Sequence, residues 1–220
     1  ALSVDGKELW KYPCSVTTPI AVENVDQAPG LEVFACTKWG PLCLNADGTL
    51  RWKATTGDDF SYGSVALGKS KSGEWLVFST SQDAATLQCF DANTGARRWS
   101  APMIAPCDIY SASSVAVGNL DAEPASEVVL ADRAGHVYCF GADEGDRRWV
   151  YATNAQTHAA LSMCDVDGDG RVEAIAASGD HGLYCLSFDG ALKWRYATDL
   201  RIVGPAQCAD VDKDGLLDLL

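Results

Sequence analysis

The stretch that decides the fold is Val137-Tyr-Cys-Phe-Gly-Ala-Asp-Glu-Gly-Asp-Arg-Arg-Trp149. A short apolar run is followed by a turn rich in Asp and Gly, and then by a second short run that ends in Trp. This order is typical of a hairpin of two short β-strands. The Gly-x-x-x-Trp half of the hairpin occurs five times, at Gly6–Trp10, Gly48–Trp52, Gly95–Trp99, Gly145–Trp149 and Gly190–Trp194.

The hairpins mark an internal repeat. A run with Cys at its third position precedes the last four motifs, and successive tryptophans are 42, 47, 50 and 45 residues apart. Other runs of strand length, such as Glu127–Ala131 and Glu173–Ser178, are bounded by Gly or Asp, and apolar residues nowhere recur at helical spacing. The sequence therefore predicts an all-β fold, a β-propeller whose repeats each form one four-stranded blade. We name the strands of a blade A to D, from the central channel outward.

The repeats divide one domain, residues 1–220, into about five blades. The predicted blades span about 13–53, 54–100, 101–151, 152–196, and 197–220 together with 1–12. The chain starts on the last residues of a strand C and stops inside a strand B, so the fifth blade lacks most of its strand C. Two explanations stay open, namely a nearly closed ring whose ends meet in one blade, and a segment of a larger propeller.

Composition excludes several classes of partner. Hydrophobic residues make up 47% of the chain, enough for a sizeable core, and the formal net charge is −13. This charge repels phosphate backbones and anionic lipid, so we expect no nucleic-acid partner. No apolar run approaches the roughly 18 residues that span a bilayer, and no signal peptide is present, so we expect no membrane insertion.

One loop between strands A and B has the composition of a cation site. In Asp165-Val-Asp167-Gly-Asp169-Gly-Arg171-Val-Glu173, carboxylates occupy positions 1, 3, 5 and 9, and Gly at position 6 permits a tight reversal. Calcium takes six to eight oxygens, and the carbonyl group of Arg171 at position 7 adds one more. Four carboxylates packed together without a cation would repel one another by several kcal/mol. The loop is predicted to bind Ca²⁺.

The loop pattern recurs in other repeats with decreasing completeness. The next copy is complete and predicts a second Ca²⁺ site formed by Asp210, Asp212, Asp214, the Leu216 carbonyl group and Asp218. A third copy keeps oxygen donors but lacks the Gly, and its candidate ligands are Asn119, Asp121, Glu123 and Glu127. The copy at 24–32 also lacks position 5, and 68–74 has no usable set. This decay is typical of structural clips between strands rather than of a calcium sensor.

Two repeat families resemble these motifs. The Asp-x-Asp-x-Asp-Gly loops between strands A and B resemble the calcium-binding FG-GAP (integrin α-like, VCBS-type) propeller repeat. The hairpin Leu87-Gln-Cys-Phe-Asp-Ala-Asn-Thr-Gly-Ala-Arg-Arg-Trp99 resembles the PQQ-like repeat, with Cys where that family usually has Ala. The resemblance implies a propeller fold. It is compatible with adhesion domains, lectins, polysaccharide lyases, assembly scaffolds and quinoprotein dehydrogenases.

The loops that join strand D to the next strand A form the predicted ligand face. Acidic, aromatic and amide side chains on this face suit a sugar or a protein loop, and a plain solvated surface is the alternative. The candidate ligand-face residues are Asp59, Tyr62, Asp108, Tyr110, Asn154, His158 and Arg201. His136 and His181 open equivalent strands C after a turn and are predicted to be surface turn residues.

The cysteines follow the repeat and are predicted to be small buried residues without a disulfide framework. Four of them share one strand-C position in separate blades, too far apart to bridge, namely Cys43, Cys89, Cys139 and Cys185. Cys36, Cys164 and Cys208, in strands A and B, are interpreted in the same way. Because free calcium is scarce in the cytosol, the loops favour an extracellular or periplasmic location.

Three functional hypotheses follow. The leading one is a calcium-stabilised, non-catalytic propeller that serves as a binding, adhesion or assembly module and presents its ligand face to a protein or glycan. It has no catalytic residues and no cofactor besides Ca²⁺. The second is a polysaccharide lyase or part of one, with His158 as its base. The third is a structural subunit that forms homo-oligomers when its incomplete blade accepts a neighbour's strand.

Overall fold

A computed structural model describes residues 1–16, 18–55, 63–81, 85–104, 115–121, 123–157, 161–202 and 204–220. These residues form β-strands and no helix, so they contain no helix of the length and apolarity needed to cross a bilayer. Four four-stranded sheets follow one another along the chain, each an antiparallel meander in which sequence neighbours pair. The predicted all-β propeller is confirmed.

The strands of the four complete blades have the following bounds. Blade 1 contains β1 (Ala21–Glu23), β2 (Glu32–Thr37), β3 (Gly40–Leu44) and β4 (Leu50–Lys53). Blade 2 contains β5 (Val65–Lys69), β6 (Trp75–Ser81), β7 (Thr86–Asp91) and β8 (Arg97–Pro102). Blade 3 contains β9 (Ala116–Gly118), β10 (Glu127–Ala131), β11 (His136–Gly141) and β12 (Arg147–Ala152). Blade 4 contains β13 (Ser162–Cys164), β14 (Glu173–Ser178), β15 (Gly182–Leu186) and β16 (Leu192–Ala197).

The tryptophans of strand D in blades 1 to 3 each join their blade to the next one. The indole N–H of Trp52 donates to the carbonyl oxygen of Ala92 at 2.8 Å, and the ring lies against Gly95, where an added Cβ would come within 2.7 Å of it. Gly95 has φ +72°, so the turn and the close approach both require Gly there. Trp10, Trp99 and Trp149 make equivalent contacts with the hairpin that follows each of them.

The apolar core lies between blades rather than within them. Residues on one face of each sheet pack against the facing side of the next sheet, as Phe34 and Cys43 of blade 1 do with Val77 and Phe90 of blade 2. The predicted burial of the strand-C cysteines is confirmed, since all four are fully buried thiols. Desolvation raises the pKa of the Cys89 thiol to about 12, so these cysteines are inert packing residues.

The two chain ends lie outside the four complete blades. Strands β17 (Cys208–Ala209) and β18 (Asp218–Leu219) pair only with each other in the described part of the chain. The N-terminal hairpin, bridged between Leu2 and Glu8, lies against blade 1 through Trp10, in the way that a strand D contacts the following blade. The described residues thus form four complete blades and, in β17 and β18, the inner half of a fifth, which we call the half-blade. That the N-terminal hairpin and the half-blade belong to one shared blade stays a prediction.

One disulfide contradicts the expectation that Cys164 and Cys208 are small buried residues without a disulfide. Cys164 and Cys208 are bonded, with their Cα atoms 6.6 Å apart. Cys164 directly precedes the first Asp of its loop, whereas Cys208 lies two residues before the first Asp of the next loop. Because side chains alternate along a strand, this offset of one residue turns the two thiols toward each other across the blade interface.

Candidate metal centres between strands A and B

The loop of blade 4 gathers carboxylates as its sequence predicts. Oxygen atoms of Asp165, Asp167 and Glu173 all lie within 4.8 Å of one another. Asp165 is held by two backbone N–H groups, with Gly168 donating to its Oδ1 at 2.7 Å and Gly170 to its Oδ2 at 2.9 Å. The fixed, converging oxygens form a donor set that suits a hard divalent cation.

The loop of the half-blade repeats this arrangement in a more exposed setting. Oxygen atoms of Asp210, Asp212 and Asp218 lie within 4.8 Å of one another, and all three residues are exposed. The N–H of Gly215 donates to Asp210 Oδ2 at 3.1 Å, and that of Val211 donates to Asp218 Oδ2 at 2.9 Å. This second loop therefore has the same scaffold as the first.

The fifth and seventh positions of both loops lie outside these three-carboxylate clusters. Asp169 Oδ1 accepts the N–H of Arg171 at 2.8 Å, and Asp214 Oδ1 accepts the N–H of Leu216 at 2.8 Å. The Arg171 side chain lies over the ring of Phe188, 4.3 Å from its centroid, so only its carbonyl group is left to face the loop. The four residues shape the loop in this structure, and their predicted role as ligands stays a prediction.

In the loops of blades 1 and 3, a side-chain amide of the loop itself donates a hydrogen bond within the loop. Their first residue is Asn instead of Asp, and its amide donates to the carbonyl oxygen of the fifth residue, Asn24 to Ala28 and Asn119 to Glu123. An Asp at this position has no proton to donate. Among the described residues, neither of these loops gathers three carboxylates as the loops of blade 4 and the half-blade do.

A basic residue that the sequence reasoning missed reaches into each loop of the complete blades. It is the residue immediately before the strand-D tryptophan. In blade 4, Lys193 Nζ lies 2.5 Å from Asp167 Oδ2 and 2.7 Å from Glu173 Oε1. In blade 3, Arg148 Nη1 contacts Asp121 and lies 2.9 Å from Glu127 Oε1.

Blade 1 follows the same rule, and the equivalent base of blade 2 pairs with a carboxylate at a different place. In blade 1, Arg51 Nη1 lies 2.7 Å from Asp26 Oδ2 and 3.5 Å from Glu32 Oε1. In blade 2, which lacks the acidic loop and has Leu76 at the place of the ninth residue, Arg98 Nη1 lies 2.9 Å from Oε2 of Glu74, just before strand B. The carboxylate at position 9 therefore has a cationic partner in blades 1, 3 and 4.

The ion pairs shift the titration of the loop carboxylates. The hydrogen bond from Lys193 holds the pKa of Asp167 below its ordinary value. The carboxyl group of Glu127 is almost fully buried, and burial raises its pKa despite the neighbouring Arg148. Desolvation of this group makes a charged partner necessary for it to remain ionised.

The half-blade lacks such a partner. In the described parts of the chain, no Lys or Arg forms an ion pair with the carboxylates of Asp210, Asp212 or Asp218. The residue at the equivalent position of the N-terminal hairpin is Leu9, directly before Trp10. Among the described residues the three carboxylates of the loop at 210–218 thus have no ion-pair partner, although the loop itself contains Lys213.

Most of the predicted ligand face lies outside the described residues. This is the case for Asp59, Tyr62, Asp108, Tyr110 and His158. The remaining two, Asn154 and Arg201, are exposed, and the Asn154 amide donates to the phenolic oxygen of Tyr184 at 3.2 Å. The structure therefore does not test whether the seven residues converge.

The two turn histidines differ from each other. His181 is exposed in a left-handed turn with φ +62°, as expected of a surface turn residue. The expectation is wrong for His136, whose Nδ1 lies 2.9 Å from Oδ2 of Asp132, a fully buried carboxylate. The same oxygen accepts the hydroxyl of Tyr138 at 2.7 Å, so this His belongs to a packed polar cluster.

Solved structures share the fold of this chain. BamB from Moraxella catarrhalis aligns with a TM-score of 0.58 and 17% identity over 87% of this chain and 52% of that chain. The V. cholerae biofilm matrix protein Bap1 aligns with a TM-score of 0.64 and 18% identity over 89% of this chain and 32% of that one. Saccharomyces cerevisiae Sqt1 aligns with a TM-score of 0.70 and 15% identity over 90% and 55%. The chain thus spans about half the length of BamB and Sqt1 and a third of Bap1.

Sequence comparison identifies the family. No curated protein matches the chain significantly. A family model described as "Outer membrane protein assembly factor BamB" matches residues 1–180 and, in a second overlapping match, residues 83–210. The first match covers most of the chain and all four complete blades except the last two strands of blade 4. The chain therefore belongs to the BamB-type PQQ_2 family of β-propeller repeats.

Proposed function

We propose that this chain is a non-catalytic protein-binding module that takes part in assembly outside the cytoplasm. The observation that carries this proposal is the match of residues 1–180 to a family of assembly factors. A propeller suits the role because its blades form a rigid scaffold while the connecting loops vary freely.

Calcium is the second part of the proposal. It is supported by the two three-carboxylate clusters and by the resemblance of their loops to FG-GAP repeats. In each loop a cation would tie strand A to strand B and remove the repulsion between the carboxylates. Ca²⁺ would act as a structural clip here, and the loop face would do the binding.

An exported location agrees with the cysteine chemistry. Disulfides persist in oxidising compartments, and Cys164–Cys208 joins the innermost strands of blade 4 and the half-blade. Free calcium at the level that such loops need is also a property of compartments outside the cytosol. We therefore place the protein in the periplasm or outside the cell.

Site-specific photocrosslinking tests the binding role. A photoreactive amino acid at Asn154 or Arg201, on exposed loops after strand D, is expected to give a discrete protein adduct in the envelope fraction of expressing bacteria. The same probe at Asn93, in an exposed turn between strands C and D at the other edge of the blades, is the matched control. Equal adducts from both edges, or none from either, would contradict the proposal.

The lyase and self-assembly hypotheses can each be tested by one measurement. The lyase hypothesis depends on His158, which lies outside the described residues, and turnover of acidic polysaccharide by the purified chain would support it. The self-assembly hypothesis predicts oligomers that grow with concentration. Within the described residues, no observation favours either hypothesis over a protein-binding module.

A further inference from the structure

The basic residue before each strand-D tryptophan sits in a special backbone position. In blade 3 the strand pairing runs from Cys139↔Trp149 to Phe140↔Arg147 and skips Arg148. The same shift in register follows the repeated Cys in blades 1, 2 and 4, where it skips Arg51, Arg98 and Lys193. The base is therefore the extra residue of a β-bulge in all four complete blades, and bulges redirect side chains.

In blades 1, 3 and 4 the bulge directs the base toward the same target. The base crosses from strand D, at the blade's outer edge, to the carboxylate that opens strand B. In blades 3 and 4 that carboxylate is Glu127 or Glu173, each with a side chain 1% exposed. A buried carboxylate that stays ionised needs a paired charge, and the bulge residue supplies one from within the chain.

We propose that the bulge cation competes with metal for the A–B loop, so that its identity sets which loops bind Ca²⁺. This inference rests on the proposed calcium function and specifies it loop by loop. The loop at 210–218, whose carboxylates meet no such base in the described part of this chain, is the tighter of the two sites in this chain. The loop at 165–173 is a weaker site, because Ca²⁺ must first displace Lys193.

Geometry requires the competition in blade 4. Ca²⁺ binds carboxylate oxygens at about 2.3–2.6 Å. Lys193 Nζ already lies 2.5 Å from Asp167 Oδ2, 2.7 Å from Glu173 Oε1 and 3.9 Å from Asp169 Oδ2. An ammonium group and a divalent cation cannot occupy this space together, so binding of one releases the other. The flexible lysine stem allows that release.

Blades 1 and 3 are closed to metal by two internal donors. Arg51 and Arg148 are fixed guanidinium groups with several N–H donors, and each pairs with carboxylates at positions 3 and 9. The Asn at position 1 adds an amide donor on the other side of the loop. We expect no calcium binding in these two loops.

Calorimetric titration with CaCl₂ tests the inference. The wild-type chain is expected to show a tighter and a weaker site, and Asp210→Asn is expected to remove the tighter one. Lys193→Gln is expected to raise the affinity of the weaker site about tenfold, a factor equivalent to about 1.4 kcal/mol. Lys193→Arg keeps the charge and is expected to leave this affinity low. Arg98→Gln removes a bulge base from a blade without an acidic loop, so it is the matched control.

The outcomes separate this inference from the calcium proposal. Two sites whose affinities are unchanged in Lys193→Gln would overturn the competition while leaving calcium binding intact. No binding by the wild type or by Lys193→Gln would overturn both, because a loop freed of its base would still reject the metal. Calcium binding at 165–173 in Lys193→Gln, with none at that loop in the wild type, would also support the inference, because Lys193 would then exclude the metal completely. Thermal unfolding of each variant in chelator confirms that it is folded.

Discussion

Trp52→Phe is the sharpest test of how the blades are held together. The Trp52 side chain is 8% exposed, and its N–H donates to the carbonyl oxygen of Ala92, a fully buried residue. Phe removes the pyrrole part of the ring, which costs about 2 kcal/mol of buried apolar contact, and it removes a hydrogen bond worth about 1 kcal/mol. We expect the free energy of unfolding to fall by about 3 kcal/mol.

Trp194→Phe provides the internal control. Trp194 occupies the same strand position, but its side chain is 36% exposed and it has no following hairpin against it among the described residues. We expect a loss of about 1 kcal/mol or less there. Urea unfolding followed by circular dichroism, with equal m-values in both variants, measures the difference. Equal losses in the two variants would refute the conclusion that these tryptophans act between blades.

Three further predictions follow from the described contacts. Cys164→Ser is expected to lower the free energy of unfolding by about 2–4 kcal/mol in oxidising buffer, and dithiothreitol should lower the wild type similarly but leave the variant unchanged. Gly145→Ala places a Cβ within 2.5 Å of the preceding blade's indole, so its melting temperature should fall further than that of Gly170→Ala, where the same left-handed backbone meets open space. The pKa of Asp167 is depressed in the folded state, so its stabilising effect is present above its ordinary value of about 4 and is lost as pH falls below it. Melting curves between about pH 2 and 5 should therefore fall more steeply for wild type than for Lys193→Gln.

The fold was predictable because the same hairpin pattern recurs several times along the sequence. The hairpin ending at Trp149 contains the turn, the bounding glycine and the buried cysteine that the structure uses in every complete blade. The strand at Glu127–Ala131 appears with the bounds that its flanking residues indicate. The indole contact between blades follows from the same pattern, since a large ring at the wide outer edge can fill the gap between its own blade and the next one.

The bulge bases are visible in the sequence as basic residues, but their position in a β-bulge is not. The motif Arg-Arg-Trp149 shows a basic residue before the tryptophan. Strict alternation along a strand places the side chain of that residue on one of the two faces of the sheet and does not direct it toward the A–B loop. The bulge that redirects Arg148 depends on strand pairing, which a sequence does not display. The sequence does show that a basic residue recurs directly before the tryptophan, since three of the five motifs have Arg and one has Lys there. This recurrence was the feature that could have indicated a shared role.

The disulfide was predictable by a closer use of alternation. Treating Cys164 and Cys208 as equivalent residues hides that they differ by one place relative to their loops. Equivalent positions in two blades point the same way around the ring and stay apart, as the buried thiols of Cys139 and Cys185 do. A shift of one residue makes two side chains face each other, and that is the arrangement the disulfide needs.

The A–B loops form a series in which internal cations replace an external one. Blades 1 and 3 use Arg and Asn, blade 4 uses Lys with a full set of carboxylates, and the half-blade has a carboxylate cluster with no ion pair among the described residues. The uncompensated charge is therefore concentrated where β17 and β18 have only two residues each to hold them. Leu216 of that loop also lies close to Gly168 of the loop in blade 4, so the two candidate sites are neighbours. A cation in the last loop would thus add stability where the paired strands supply least, beside the disulfide that links blade 4 to the half-blade.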